Sequence, residues 1–299
     1  MRKFILLTFL LIFANLTIFA QDDETIKVDS SIVVLNATIT DSNDKAVLGL
    51  KQIQFKIFED GKEQSIEFFS AEKTPFAAVI LLDTSGSMEQ RISLARSAAI
   101  NFLDGLRVDD SAAIYNFDSK ISLVQDFSNS RDIAEKIFDL KAYGMTVLND
   151  AIYEAAQALS KRTEKRKAIV VLSDGADTKS NYSANKALKA AIAAGATIYT
   201  VDMSSIEMNG QERMQSQSVL RNFAEKSGGK FIPVSGGIAL REAFKQIVGE
   251  LGSQYTITYS PTNTAKDGKY RTIEIKVAKP NLTIRTRKGY NAPKENNRR

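Results

Sequence analysis

The stretch FAAVILLDTSGSMEQ, residues 76–90, joins seven apolar residues to Asp83, Ser85 and Ser87 at alternate positions. An apolar run with no polar alternation marks a strand covered on both faces, as in a parallel sheet wrapped by crossover helices. Runs of the same kind follow at AIVVL (168–172), ATIYTV (196–201) and KFIPV (230–234). Between them lie segments of helical period, such as RISLARSAAINFLDGL (91–106) and NDAIYEAAQALSK (149–161). Residues 76–252 therefore predict an α/β domain with a doubly wound, mostly parallel sheet. In such sheets ligands bind at the carboxyl ends of the strands, which is where the polar residues of the opening stretch fall.

The flanks read differently. Val33, Leu35, Ala37 and Ile39 share one face of a period-two pattern, as do Ile53, Phe55 and Ile57, with TDSNDK (40–45) and EDGK (59–62) as turns. Tyr255, Ile257 and Tyr259, then Ile273, Ile275 and Val277, repeat the pattern after the α/β region. Neither flank has enough strands to bury a face alone. The expectation is one small discontinuous antiparallel β-sandwich, built from residues 21–75 and 253–290, with the α/β domain inserted in it. Residues 291–299, NAPKENNRR, read as a disordered tail.

Composition narrows the chemistry. The 299 residues include no cysteine and no histidine, which excludes disulfides, cysteine nucleophiles, Ser-His-Asp triads and the usual ligands of zinc. Any metal must be a hard cation held by oxygen. Residues 1–20 have a basic tip at Arg2 and Lys3, an apolar run and a small residue, Ala20, before an acidic stretch, the pattern of a cleaved secretory signal peptide. The expected mature protein is exported, to the periplasm, the cell surface or the medium, without a stable membrane span. Removing Arg2 and Lys3 lowers the formal net charge from +5 to +3, and no basic cluster with interleaved aromatics argues for nucleic acid.

Three polar loops sit at or near the ends of apolar strands: DTSGSM (83–88), YGMTVLNDA (143–151) and SDGAD (173–177). If they converge, Asp83 and Asp174 supply two negative charges while Ser85, Ser87 and Thr146 supply neutral oxygens, a donor set suited to Mg²⁺. About two negative charges offset a divalent cation without surrounding it with anions, and leave it receptive to one more carboxylate. Plainer roles exist for each residue. Ser87 with Gln90 fits a capping box opening a helix at 88–105, Thr146 fits a helix cap, and Asp174 with Gly175 fits a turn. Asp150 and Asp177 read as helix-start and turn residues near the site.

At these positions the sequence resembles the von Willebrand factor type A family, whose adhesion site uses D-x-S-x-S, a downstream threonine and a downstream aspartate. The matching residues are Asp83, Ser85 and Ser87, Thr146 in GMTVLNDAI, and Asp174 in LSDG. The flanks, VLGLKQIQFKIFEDGKEQSIEFFS before the domain and YTITYSPTNTAKDGKYRTIEIKV after it, resemble exported bacterial proteins of this family. The resemblance implies a Rossmann-like domain and Mg²⁺ or Mn²⁺ bound by the hydroxyls, with the aspartates acting partly through water. It further implies protein binding without turnover, through an Asp or Glu carboxylate of a partner protein. In integrin-type members metal coordination is coupled to the last helix, here about Ile238 to Leu251. One departure is Gly144-Met145, where the family usually has Gly-Gly; a methionine forced to positive φ would be strained.

Two other classes compete. A serine hydrolase finds S-x-x-K at Ser183/Lys186 and at Ser70/Lys73 but lacks the S-D-N and K-T-G elements that accompany it; Ser183 reads as a helix cap. A metal-assisted hydrolase finds its oxygen ligands but no separate general base or nucleophile. In a structural envelope component the metal would only staple the loops, with a closed coordination shell. The expectation is a binding protein and not an enzyme.

Overall fold

The computed structural model describes residues 32–129, 135–205, 208–234 and 236–295, so the expected signal peptide lies outside the described residues. β1 (Val33–Thr40), β2 (Phe55–Glu59), β3 (Lys62–Gln64) and β4 (Phe68–Ser70) come first. An α/β region follows: β5 (Phe76–Asp83), α1 (Ile92–Asp104), β6 (Ser111–Phe117), β7 (Ile121–Ser128), α2 (Leu148–Ser160), β8 (Arg166–Ser173), α3 (Ala184–Ala193), β9 (Ala196–Asp202), α4 (Gly210–Ser227), β10 (Phe231–Pro233) and α5 (Gly237–Ser253). The chain then closes with β11 (Tyr255–Tyr259), β12 (Tyr270–Val277), β13 (Thr283–Arg285) and β14 (Gly289–Asn291).

The central sheet has the order β10-β9-β8-β5-β6-β7 and is parallel except for β7, which pairs antiparallel with β6. All eight residues of β5 are buried, and their alternation divides them between two cores. Phe76, Ala78, Ile80 and Leu82 pack with Ala95, Ala99 and Phe102 of α1 and Phe244 of α5. Ala77, Val79 and Leu81 pack with Ala151, Ile152 and Ala155 of α2, Leu188 of α3 and Phe223 of α4. A strand buried on both sides has no polar face to show, hence its continuous apolar run. β6 and β7 were not anticipated: Tyr115 and Asn116 break the apolar run of β6, and β7 is a half-exposed edge.

The two flanks build two four-stranded sheets, β13-β1-β11-β4 and β14-β12-β2-β3. Val33 pairs with Tyr259 and Leu35 with Ile257 across β1 and β11, and Ile57 pairs with Ile275 across β2 and β12. Leu35, Ala37, Ile39 and Ile57 from the first flank and Tyr255, Ile257, Tyr259 and Ile273 from the second form one core. The fold is thus an α/β domain inserted in a discontinuous antiparallel sandwich. Two details differ from the expectation. Ile53 does not share the face of Phe55 and Ile57: it is 89% exposed in a 3₁₀ turn, where the Gln54 side chain accepts from the Lys51 amide at 2.9 Å. Nor are residues 291–295 a disordered tail, because the Ala292 amide donates to Lys269 O at 2.8 Å and the Glu295 amide to Lys266 O at 3.1 Å; residues 296–299 lie outside the described residues.

Among the described residues the strands that pair with β1 are β11 and β13, beside a single bridge from Thr40 to Ala46. Deleting residues 253–299 is therefore expected to strip β1 of both neighbours and open residues 32–70 to limited proteolysis; an N-terminal half as resistant as in the full chain would contradict the pairing. The described residues form one compact unit, with no division between sandwich and α/β domain. Arg166 at the start of β8 explains much of this cohesion. Its buried guanidinium donates to Glu72 O at 2.8 Å in the strand-to-domain connection, to Leu251 O at 3.3 Å and Gly252 O at 3.1 Å in the last turn of α5, to Gln254 O, and to Thr256 Oγ1 at 3.2 Å in β11. Arg285 of β13 adds an ion pair to Glu250 of α5 at 2.8 Å, both side chains largely buried. Among the described residues no helix is long and apolar enough to cross a membrane.

Candidate metal site at the carboxyl edge of the sheet

β5 and β8 are central neighbours in parallel register, Leu82 opposite Leu172, so Asp83 and Ser173 leave the sheet side by side. Ser173 Oγ donates to Asp83 Oδ2 at 2.6 Å. On its other oxygen, Oδ1, Asp83 accepts the Ser85 amide at 2.9 Å and the Ser85 hydroxyl at 2.6 Å. Ser85 Oγ lies 3.1 Å from Ser87 Oγ. Asp83 and Ser85 are buried, whereas Ser87 and Gly86 are exposed, so the cluster opens to solvent on the serine side.

The capping-box role of Ser87 does not form. α1 starts only at Ile92 with Arg91 at its cap, and Ser87 lies in a 3₁₀ turn at Gly86–Met88. That turn places the Ser87 hydroxyl beside Ser85 and leaves the backbone amides of α1 to other partners. Thr146 likewise caps no helix: Val147 holds the cap position of α2 and no side chain bonds there.

Backbone bonds draw the three loops together. The Gly86 amide donates to Gly144 O at 3.1 Å and the Tyr143 amide to Thr84 O at 2.8 Å, which zips the loop before α2 to the loop after β5. Thr146 is buried, and its backbone meets the third loop: its amide donates to Thr178 Oγ1 at 3.0 Å, and its carbonyl accepts from the Thr178 and Lys179 amides at 3.0 and 3.1 Å. Asp174 is buried at the head of that loop, where Oδ1 accepts the Ala176 amide at 3.1 Å, and it stands near enough to Asp83 to repel its charge. The structure therefore brings all five expected residues to one rim. Asp83, Ser85 and Ser87 share side-chain contacts, Asp174 acts on Asp83 through its field, and Thr146 is tied in through its backbone.

Sequence reasoning missed the supporting residues. Ser173 was hidden because nothing local reveals which strand ends beside Asp83. A second Asp-Ser clasp, Asp202 with Ser204 after β9, holds the loop from the other side: the Ser204 amide and hydroxyl both donate to Asp202 Oδ1, Gln217 of α4 donates to Oδ2 at 2.6 Å, and Ser204 Oγ reaches Asp174 O at 3.3 Å. Asp150 and Asp177 hold turns and a helix start, as expected. Asp177 accepts the Asn149 and Ser180 amides, and Asp150 accepts the Asn181 and Tyr182 amides. Ser183 accepts the Lys186 amide as the cap of α3.

The departure at Gly144-Met145 resolves without strain. Positive φ falls on Gly144 (82°), while Met145 is not among the residues of positive φ. A Cβ on Gly144 would stand 2.6 Å from Ser119 Oγ, the atom that accepts the Met145 amide at 2.9 Å. Gly144→Ala is expected to cost about 2 kcal/mol, through left-handed strain and the displaced Ser119, and to lower the melting temperature by about 4–8 °C. An unchanged melting curve would show that the loop is not fixed as described.

Electrostatics single out Asp83. Burial, reinforced by repulsion from Asp174 and only partly offset by the Ser173 and Ser85 hydroxyls, pushes its carboxyl from the ordinary 3.8 up to about 7. The folded chain thus keeps a proton that the unfolded chain releases near pH 4. Metal-free protein is expected to lose stability as pH rises from about 4 to about 7. Melting temperatures in chelator at pH 5 and pH 8 check this; equal values, or a higher one at pH 8, would count against a buried, uncompensated Asp83.

The donor set fits a hard divalent cation: oxygen atoms only, the buried carboxylates of Asp83 and Asp174, and the Ser87 hydroxyl on the exposed edge. Among the described residues no group of three or more acidic side chains is placed to hold an ion.

Topology and rim together define a doubly wound α/β module with an oxygen-lined cluster where the two central strands end. Residues 78–176 match the model of the von Willebrand factor type A domain, so this part of the chain is a domain of that type. An uncharacterised protein of Synechocystis is 30% identical over 146 residues, covering 47% of this chain and 34% of that protein, so this chain spans only about a third of that relative's length. Solved structures of the same fold include a D319A mutant of the PilB minor pilin of Streptococcus sanguinis, with a TM-score of 0.50 at 15% identity over 62% of this chain and 63% of that one. The von Willebrand factor domain of the type V pili tip protein Mfa5 of Porphyromonas gingivalis matches at 0.50 and 14% identity, over 60% of this chain and 95% of that one. A von Willebrand factor type A protein of Catenulispora acidiphila matches at 0.50 and 14%, over 90% and 76%.

Proposed function

We propose that this is an exported adhesion-type protein that captures a carboxylate of a partner protein through Mg²⁺ or Mn²⁺ held by Asp83, Ser85, Ser87, Thr146 and Asp174. The observation that carries the reading is Asp83: a buried carboxyl at a sheet rim, clasped by hydroxyls and pushed up to about 7 by burial and by the charge of Asp174, with no hydrogen bond from a cationic side chain. A divalent cation offsets the two neighbouring carboxylates and, with only about two of them around it, attracts one more anion.

The residues of the chain do the rest. Asp83 loses its proton when the cation binds, so affinity rises with pH up to about 7. Ser173 and the Ser85 amide orient the Asp83 carboxylate, and the Asp202–Ser204 clasp holds the carbonyl of Asp174. The exposed edge at Gly86 and Ser87 leaves an approach for a ligand, which favours capture over a purely structural staple. Pilus and pilus-tip proteins among the fold relatives support an adhesive role outside the cell. Binding proceeds without turnover, since no histidine or cysteine is available and Ser183 of the hydrolase-like S-x-x-K is engaged as a cap.

The reading is tested by capture from envelope extracts on immobilised protein, in Mg²⁺, in chelator, and with Asp83→Ala. A partner retained only by the unmodified protein in Mg²⁺ is expected; one retained equally in all three arms would remove the cation from the mechanism.

A further inference from the structure

Tyr143 and Met145 are large, apolar and exposed, 81% and 54% respectively. Isolated exposed apolar residues are ordinary. These two differ because of where and how they are held. They stand on either side of Gly144, whose carbonyl accepts the Gly86 amide between the two site serines. Their own backbones are pinned as well, Tyr143 N to Thr84 O at 2.8 Å and Met145 N to Ser119 Oγ at 2.9 Å. Three hydrogen bonds and the left-handed Gly144 thus fix a short platform against the cluster, and its two side chains are left without cover. Apolar area presented on a pinned loop loses little conformational freedom when a partner covers it.

We propose that Tyr143 and Met145 are the specificity-determining residues of this site, two apolar walls that select a ligand carboxylate flanked by apolar side chains. The inference rests on the carboxylate-capture reading above and names its ligand class: an extended peptide segment carrying Asp or Glu between apolar neighbours. Charge complementarity positions the acid at the cation, and the flanking side chains cover Tyr143 and Met145. A segment flanked by polar or charged residues leaves both walls wet. Met145 supplies a wall where the family pattern has only glycine, and does so without backbone strain.

The test titrates the purified protein in Mg²⁺ with three blocked tripeptides, Leu-Asp-Leu, Gly-Asp-Gly and Leu-Asn-Leu, followed by chemical-shift changes in NMR spectra, with Mg²⁺ uptake measured separately by calorimetry. Leu-Asp-Leu is expected to bind about tenfold more tightly than Gly-Asp-Gly, the effect of burying roughly 50 Å² of apolar surface, and Leu-Asn-Leu not measurably. In the double variant Tyr143→Ser/Met145→Gly the tenfold preference should vanish while Mg²⁺ uptake and Gly-Asp-Gly binding stay as they were. Equal binding of the two aspartyl peptides by the unmodified protein would overturn the apolar walls and leave carboxylate capture standing. Binding of Leu-Asn-Leu as tight as Leu-Asp-Leu, or of none of the three, would overturn capture and the walls together.

Discussion

Arg166→Met is expected to be the most damaging single substitution in the chain outside the candidate site, with a loss of about 5 kcal/mol or more and a fall in melting temperature of about 10–20 °C. Arg166 is fully buried and its hydrogen bonds go to no carboxylate; burial, with repulsion from Arg107 and only a partial offset from Asp110, lowers its pKa to about 10, and it remains charged. Its partners are four backbone carbonyls and one hydroxyl, contributed by the connection before β5, the last turn of α5, Gln254 and β11. The carbonyls of Leu251 and Gly252 belong to a helix end, where acceptors lack intrahelical donors and a positive charge is favoured by the helix dipole. Methionine avoids the cost of burying the charge but strands these acceptors where water does not reach. Set against a total stability of about 5–15 kcal/mol, such a loss leaves a protein that is barely folded. Arg166→Lys, with three donors and no planar fork, should recover part of the loss. Chemical denaturation measures both; a variant within about 1 kcal/mol of the unmodified protein would show that the sandwich and the α/β domain are joined by other means.

The same clamp bears on α5. Its last-turn carbonyls are held by Arg166, its Glu250 by Arg285, and only Gln254 separates it from β11. In this structure the helix is anchored at its carboxyl end to the sandwich, so any displacement of α5 must break or carry those bonds.

Asp83→Asn should have the second large effect, and with opposite signs in two measurements. Divalent-metal affinity is expected to fall by about 100-fold or more, because the substitution removes a ligand charge. The metal-free protein, in contrast, should become more stable at pH 8, since an amide avoids the burial of a carboxylate pushed up to about 7 while still accepting the Ser85 amide. The decline in stability between pH 5 and pH 8 should flatten as well. An Asp83→Asn protein that binds metal normally, or that unfolds more readily than the unmodified chain in chelator at pH 8, would refute this account of the rim.

Much of the architecture was legible in the residues themselves. FAAVILL identified a strand buried on both faces because such a strand is apolar at every position, and β12 showed the alternation of a sheet with one wet side, whereas the polar positions of β1 and β11 are buried or half-buried. The discontinuous sandwich followed from counting strands. Patterns that depend on spatial neighbours were not legible. β6 does not stand out in the sequence because Tyr115 and Asn116 interrupt its apolar run, although Asn116 is useful there, donating to Thr84 Oγ1 at 3.1 Å behind the candidate site. Period two puts Ile53 on the face of Phe55 and Ile57 on paper, through a 3₁₀ turn that ends the pattern in space. Ser173 and Arg166 left no trace because their partners are 90 residues and 85–94 residues away. At the site the D-x-S-x-S spacing was readable. Its connection to Thr146 through Gly144 and Thr178 appeared only once the loops stood together.

The central claim is that the Asp83 rim holds one divalent cation. Titration of the purified protein with Mn²⁺, followed by the loss of the free-ion electron paramagnetic resonance signal, measures this directly. The account predicts one saturable site per chain, tighter at pH 8 than at pH 5, displaced by Mg²⁺ and abolished in Asp83→Ala. No uptake by the unmodified protein, or uptake undiminished in the variant, would contradict it.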